Sequence, residues 1–237
     1  MEFLPFAYCE SVCALLRNLS DLEIVCRDNP DCAFWSSAIK ENYEKRPTVS
    51  LYVGHERGQW SHAIYFAEKS VSFQRFRAAY KEKNFRFEEI SFCPAYYSHC
   101  AHFDRIQSTA EEIKKIIKYT VSYIYKTDFE ILNSQSGAHF PQEFFETILV
   151  TYKNRSFRKI CLQTLHHSLF EEFLRTQLKY PHLKELHLPE LYPQGLSPEI
   201  KEFALRKTFR KLLPRVPDVN VGNFNKLFKT PNCAKVA

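Results

Sequence analysis

The chain has 237 residues, 45% of them hydrophobic and 15% aromatic, and a formal charge of +6. That apolar content excludes a disordered chain and suffices for a substantial core, in one large domain or in a small domain joined to a larger one. The five glycines, at 54, 58, 137, 195 and 222, build neither G-x-G-x-x-G nor G-x-x-x-x-G-K, so the usual phosphate-cradling loops are excluded as well.

The first residues carry no basic leader, and no apolar run reaches the roughly 18 residues of a membrane span. A soluble intracellular protein is therefore expected, cytoplasmic or nuclear, with no membrane partner. Residues 4–18 place Phe6, Cys9, Val12, Cys13, Leu15 and Leu16 on an apolar helical stripe, with Pro5 in the first turn. A second helix is expected from Ser20 until Asn29-Pro30 stops it. A third covers residues 32–44, with Phe34, Trp35, Ala38 and Ile39 turned inward. Residues 1–46 thus read as a small helical module.

Beyond Pro47 the period changes to two. Residues 48–53 alternate, Gly54 and Gly58 break the run, and residues 60–66 return as a second strand, which predicts a hairpin. Residues 75–83 read as a short helix. Further helices are expected at 108–126, 141–153, 168–180 and 197–208, and strands at 87–92, 128–132, 157–163, 184–188 and 209–213. The tail, residues 231–237, is expected to fray.

Three hexamers share one pattern, apolar-x-x-apolar-x-apolar. They are Phe87-Glu88-Glu89-Ile90-Ser91-Phe92, Phe157-Arg158-Lys159-Ile160-Cys161-Leu162 and Leu183-Lys184-Glu185-Leu186-His187-Leu188. Ile90, Phe129, Ile160, Leu186 and Leu212 mark the successive strands, an irregular repeat that tightens along the chain. One strand plus one helix per unit is the economical reading, and it predicts an α/β fold with a parallel sheet over residues 47–230. Ile160, Leu162, Leu186 and Leu188 should then lie buried side by side on adjacent parallel strands.

Candidate chemistry is sparse. Cys93, His99, Cys100 and His102 combine zinc-type ligands, but adjacent His99 and Cys100 would rarely face one metal. Cys9, Cys13, Cys26 and Cys32 are explained as helix-core thiols, and all eight cysteines are expected to be reduced. Cys161 and His166-His167 could supply a nucleophile and base, but no catalytic motif accompanies them. The expectation is a non-enzymatic chain with no metal and no cofactor.

Charge is uneven: from Arg155 onward there are 15 Lys or Arg against 7 Asp or Glu. Arg158, Lys159, Arg206, Lys207, Arg210 and Lys211 are the candidates for a nucleic-acid surface, the alternative to a protein partner. A solvated helix face explains the same residues, and we expect them to be scattered.

Leu4-Pro5 opening a helix, then Val12, Leu15, Leu16, Leu22 and Val25, and Trp35 some thirty residues after the Leu-Pro, resemble an F-box. The whole chain is similar to the expanded nematode families of small F-box-like proteins. The likeness rests on the Leu4-Pro5-Phe6-x-Tyr8-Cys9 start, Phe34-Trp35-x-x-Ala38-Ile39 followed by Arg46, Gly58-Gln59-Trp60-Ser61, and Gln177-Leu178-Lys179-x-Pro181-His182-Leu183-Lys184-x-Leu186. The resemblance implies a short helical module joined to leucine-rich-repeat-like βα units. It also implies that Leu4, Pro5, Val12, Leu15, Leu16 and Leu22 dock the linker subunit of a cullin-based ubiquitin ligase while the array holds a protein target. A plain helical core is the other reading of those six residues.

Overall fold

The fold is that of a computed structural model, which describes residues 6–16, 22, 26, 32–66, 69–79, 85–93, 105–132, 140–163, 168–189 and 194–213. The second expected helix therefore lies outside the described residues, apart from Leu22 and Cys26.

Two helices, α1 (Phe6–Leu15) and α2 (Ala33–Lys45), pack together ahead of the sheet. Their cluster is built on Cys9, Cys13, Cys26, Cys32, Trp35, Ala38 and Ile39. The inward positions of α2 are Trp35, Ala38, Ile39 and Asn42, a strict helical stripe. Phe34 was expected on that stripe and is instead 51% exposed, because it stands 100° round the helix from Trp35. Two buried polar groups tie the helices. Asn42 Nδ2 donates to Ala38 O and to Glu10 O (3.1 and 3.3 Å), and Arg46 donates to Cys13 O (3.0 Å) and Leu16 O, capping the carbonyl end of α1.

Strands β1 (Thr48–Glu56) and β2 (Gln59–Phe66) form the expected hairpin. Arg57 and Gly58, both at positive φ (48° and 79°), make its two-residue loop, as the twist of paired strands demands. β3 (Lys69–Val71) and β5 (Ile106–Ser108) add antiparallel pairings to β2, and neither is visible in the sequence pattern. The remaining strands run parallel: β4 (Arg86–Phe92), β6 (Thr127–Ile131), β7 (Phe157–Leu162), β8 (Glu185–His187) and β9 (Lys211–Leu213). The order β3-β2-β1-β4-β6-β7-β8-β9 follows the chain from β4 onward, so each unit is laid beside the one before.

Helices α3 (Phe73–Ala79), α4 (Ala110–Thr120), α5 (Gln142–Tyr152), α6 (Ser168–Leu178) and α7 (Ser197–Ala204) contribute to one core with the strands. Helix α3 begins two residues earlier than the expected 75–83, and residues 80–84 lie outside the description. Helix α4 opens on a capping box: Thr109 Oγ1 accepts from Glu112 N–H (3.2 Å), and Glu112 Oε2 accepts from Thr109 N–H (2.8 Å). The neighbouring helices α4 to α7 pack in chain order.

The register explains the hexamers. Leu51, Ile90, Phe129, Ile160, Leu186 and Leu212 are paired one to the next across six strands, and all are buried. Val53, Phe92, Ile131 and Leu162 form a second row. A bulge falls between Phe87 and Glu89 on β4, and another between Phe157 and Lys159 on β7. The extra residue returns Phe87 and Phe157 to the core side, which is why the spacing is three and then two. Thr127 Oγ1 donates to Phe87 O (2.7 Å) beside the first bulge. Two buried hydrogen bonds also bridge neighbouring units: Thr120 Oγ1 with Tyr152 Oη at 2.7 Å, and Gln177 Nε2 with Lys153 O at 2.8 Å.

Ile160, Leu162, Leu186 and Leu188 are all buried, with Ile160 opposite Leu186 on parallel strands. Leu186→Ala should destabilise the chain by about 2–5 kcal/mol, because its row is closed on both sides and cannot collapse into the cavity. Chemical denaturation measures it, and a loss below about 1 kcal/mol would show the row to be slack.

Candidate interaction surface

Side chains that alternate with the core rows occupy the opposite face of the sheet. One row runs Ser50, Glu89, Asp128, Lys159, Glu185 and Lys211, and the next runs Tyr52, Ser91, Glu130, Cys161 and His187. This face is polar and cross-linked. Arg158 holds Asp128 by two nearly parallel bonds (2.8 and 2.9 Å), Lys159 Nζ donates to Glu130 (2.6 Å), and Tyr52 Oη donates to Glu89 (3.0 Å). Glu89 and Asp128 are directly opposed like charges, an unfavourable pairing. Burial, reinforced by Glu130 and least by Asp128, pushes the Glu89 carboxyl above the usual range, against the Tyr52 bond. Burial also lowers the His187 imidazole, helped by Lys159 and Lys211.

The predicted docking residues of the helical module fall as follows. Leu4 and Pro5 lie outside the described residues, and so does the side chain of Leu15 within α1. Val12, Leu16 and Leu22 are half-buried against the cysteine cluster, the placement of a partly satisfied core. Exposed apolar surface lies instead at Tyr8 and Phe34, each 51% exposed, with Tyr8 edge-on to Trp35 at 6.3 Å. Sequence reasoning missed both. Their signal was there, since each sits off the stripe that Cys9 and Trp35 define.

The six basic candidates do not converge as a set. Lys159 is spent on Glu130 and Arg158 on Asp128, while Arg206 turns inward to cap Tyr180 O (3.1 Å) and Leu178 O. Lys207, Arg210 and Lys211 are exposed.

Catalytic and metal candidates find little support in the geometry. Burial pushes the Cys161 thiol up to about 11, Glu130 adding to it, so the sulfur is protonated and a poor nucleophile. His166 and His167 lie outside the described residues, as do His99, Cys100 and His102. Among the described residues, no three His, Cys, Asp or Glu side chains are placed to hold a metal ion. Burial likewise raises Cys13 and Cys26 to about 11, the state of thiols packed as small hydrophobes.

One serine–histidine pair borders a cavity of about 380 Å³. His62 Nδ1 lies 2.6 Å from Ser108 Oγ, but its Nε2 accepts the Phe73 N–H (3.2 Å). In a neutral ring the proton must then sit on Nδ1, which donates to the serine and cannot act as its base. Burial favours that neutral ring, with Glu112 opposing. The pair is a structural clamp between β2, β5 and α3.

Among the described residues no helix is long and apolar enough to cross a membrane. Comparison with known protein families, with curated proteins and with solved structures finds no match to this chain.

The raised Glu89 carboxyl gives a signed expectation. The folded state holds this proton more tightly than the unfolded chain, so stability falls as pH rises above the ordinary value of 4.5. Glu89→Gln, which keeps an acceptor for Tyr52, should be at least as stable as the parent at pH 7. That advantage should vanish near pH 4, where Glu89 is protonated in both states. Thermal unfolding at the two pH values decides it, and an advantage that grows on acidification would contradict the assignment.

Proposed function

We propose that this chain is a non-enzymatic interaction protein, acting in the cytoplasm or nucleus as a substrate-recognition adaptor of a cullin-based ubiquitin ligase. In this reading residues 1–46 are an F-box-like module that docks the ligase linker subunit. The LRR-like βα array, within residues 47–230, presents its polar strand face to a protein target.

The observation that carries the reading is the division of the sheet into two faces. One face is a continuous apolar core shared with helices α4 to α7, and the other bears in-register rows of polar side chains. A surface of this kind offers many contact points across several strands and no activated nucleophile, which suits recognition better than chemistry. The helical module exposes two aromatic rings, Tyr8 and Phe34, the residue type enriched where proteins meet.

Affinity purification of the tagged chain from nematode cells should retrieve a linker subunit and a cullin. Phe34→Ala with Tyr8→Ala should cut linker retention at least about tenfold with an unchanged melting temperature, since exposed side chains contribute little to folding. Leu16→Asp should also lose the linker. Failure to retrieve linker or cullin would refute the adaptor reading, and full retention by the double variant would move the docking face elsewhere.

A further inference from the structure

Three cations stand at one register where β7, β8 and β9 begin. Lys184 N–H donates to Arg158 O (2.8 Å), and Lys184 O accepts from Arg210 N–H (2.8 Å) and Lys211 N–H (3.2 Å). Arg158, Lys184 and Arg210 are thus neighbours one residue ahead of the paired row Lys159, Glu185 and Lys211. The paired row alternates in sign. The row ahead of it is positive throughout, on strands about 4.8 Å apart, where like charges directly opposed are destabilising.

Compensation reaches only one end of this row. Arg158 is clamped on Asp128, whereas among the described residues neither Lys184 nor Arg210 has a carboxylate partner. Burial, with Arg210, Lys126 and Arg158 adding to it, holds the Lys184 ammonium below its ordinary pKa. Lys126 joins the group from the turn before β6. Its φ of 52° lies in the left-handed region that side chains with a Cβ rarely adopt, and its Nζ sits 4.7 Å from the Tyr125 ring centre and 5.8 Å from that of Tyr43. Lys184 and Arg210, without a carboxylate partner among the described residues, and the left-handed backbone of Lys126 meet at one end of the sheet, beside the helical module.

We infer that Lys126, Arg158, Lys184 and Arg210 form a docking row for an acidic segment of a partner protein, carboxylate-rich or phosphorylated. The inference rests on reading the chain as a protein-interaction module and names the chemistry of what the array takes. The row spans three strand gaps, about 14 Å, which matches four residues of an extended peptide. A nucleic-acid backbone fits it less well. It needs a longer positive track, but the carboxylates of Asp128 and Glu88 interrupt the row beside Arg158, and Lys159 and Arg206 point to other partners.

Fluorescence anisotropy with the full chain tests the row, using a labelled Glu decamer, a phosphoserine peptide of equal length, a Gln decamer and a ten-nucleotide RNA. At least one acidic peptide should bind, more weakly as salt rises from about 50 to 200 mM, while the Gln decamer should not. The tighter of the two acidic peptides identifies the source of the charge. Lys184→Glu with Arg210→Glu should lower that affinity at least about tenfold, and Lys184→Gln with Arg210→Gln should also weaken it if the first pair misfolds. Lys40→Glu with Lys118→Glu, an equal charge change on exposed helix positions, should change it by less than about threefold.

Equal losses in the two charge-reversal pairs, no preference over the Gln decamer, or tighter RNA binding through Lys184 and Arg210 would each overturn the inference. Linker capture measured on the same protein separates the two readings. Capture without peptide binding removes the docking row alone, and peptide binding without capture removes the adaptor role alone.

Discussion

The whole architecture depends on one apolar side chain per strand meeting its neighbours in a single line, Leu51, Ile90, Phe129, Ile160, Leu186 and Leu212. Side chains in a sheet alternate faces, so a slip of one residue at any strand would carry its apolar set to the polar side. The bulges at Phe87 and Phe157 add a third anchor on the core side without disturbing that phase. The line also fixes what the other face presents, because every polar row is the complement of an apolar one. Each helix between parallel strands buries its stripe against this line, and the short β3, β5 and β9 close the margins, which suits edges that should not recruit foreign strands.

The helical module is tied to the same line through aromatic contacts. Tyr43 of α2 meets Tyr125 edge-on at 4.7 Å, Arg86 at the start of β4 lies 4.4 Å from the Tyr43 ring centre, and Tyr125 belongs to the cysteine-rich core of the module. A chain boundary at Pro47 is therefore a boundary in sequence, while packing continues across it. Anything docked on the strand starts would lie next to the module, which places target and ligase contacts in the adaptor reading on neighbouring ground.

Much of the fold was legible because its physics is local. Period two against period 3.6 located the hairpin and the helices α4 to α7, and the apolar-x-x-apolar-x-apolar hexamers marked three strands, in two of which a bulge gives that spacing. Other features depend on distant partners. Lys69–Val71 and Ile106–Ser108 are three-residue strands whose only reason to be extended is β2, so no pattern announces them. The excursion through β5 also accounts for the long interval from Ile90 to Phe129. Phe34 misled because Ala33, Phe34 and Trp35 are consecutive apolar residues, and the phase of the helix shows in its packing against α1, where Asn42 bonds across to Glu10. The cation row was readable in principle, since Arg158, Lys184 and Arg210 recur at the same 26-residue step as Ile160, Leu186 and Leu212. Seeing it required register, because spacing alone does not distinguish a row from a scatter.

Residue-resolved amide hydrogen exchange on the intact chain tests the continuous line most directly. Ile90, Phe129, Ile160 and Leu186 should exchange slowly and as one cooperative group, with Lys69–Val71 and Ile106–Ser108 opening earlier. Fast exchange at Ile160 and Leu186 beside slow exchange at Ile90 would contradict a single sheet built on that line.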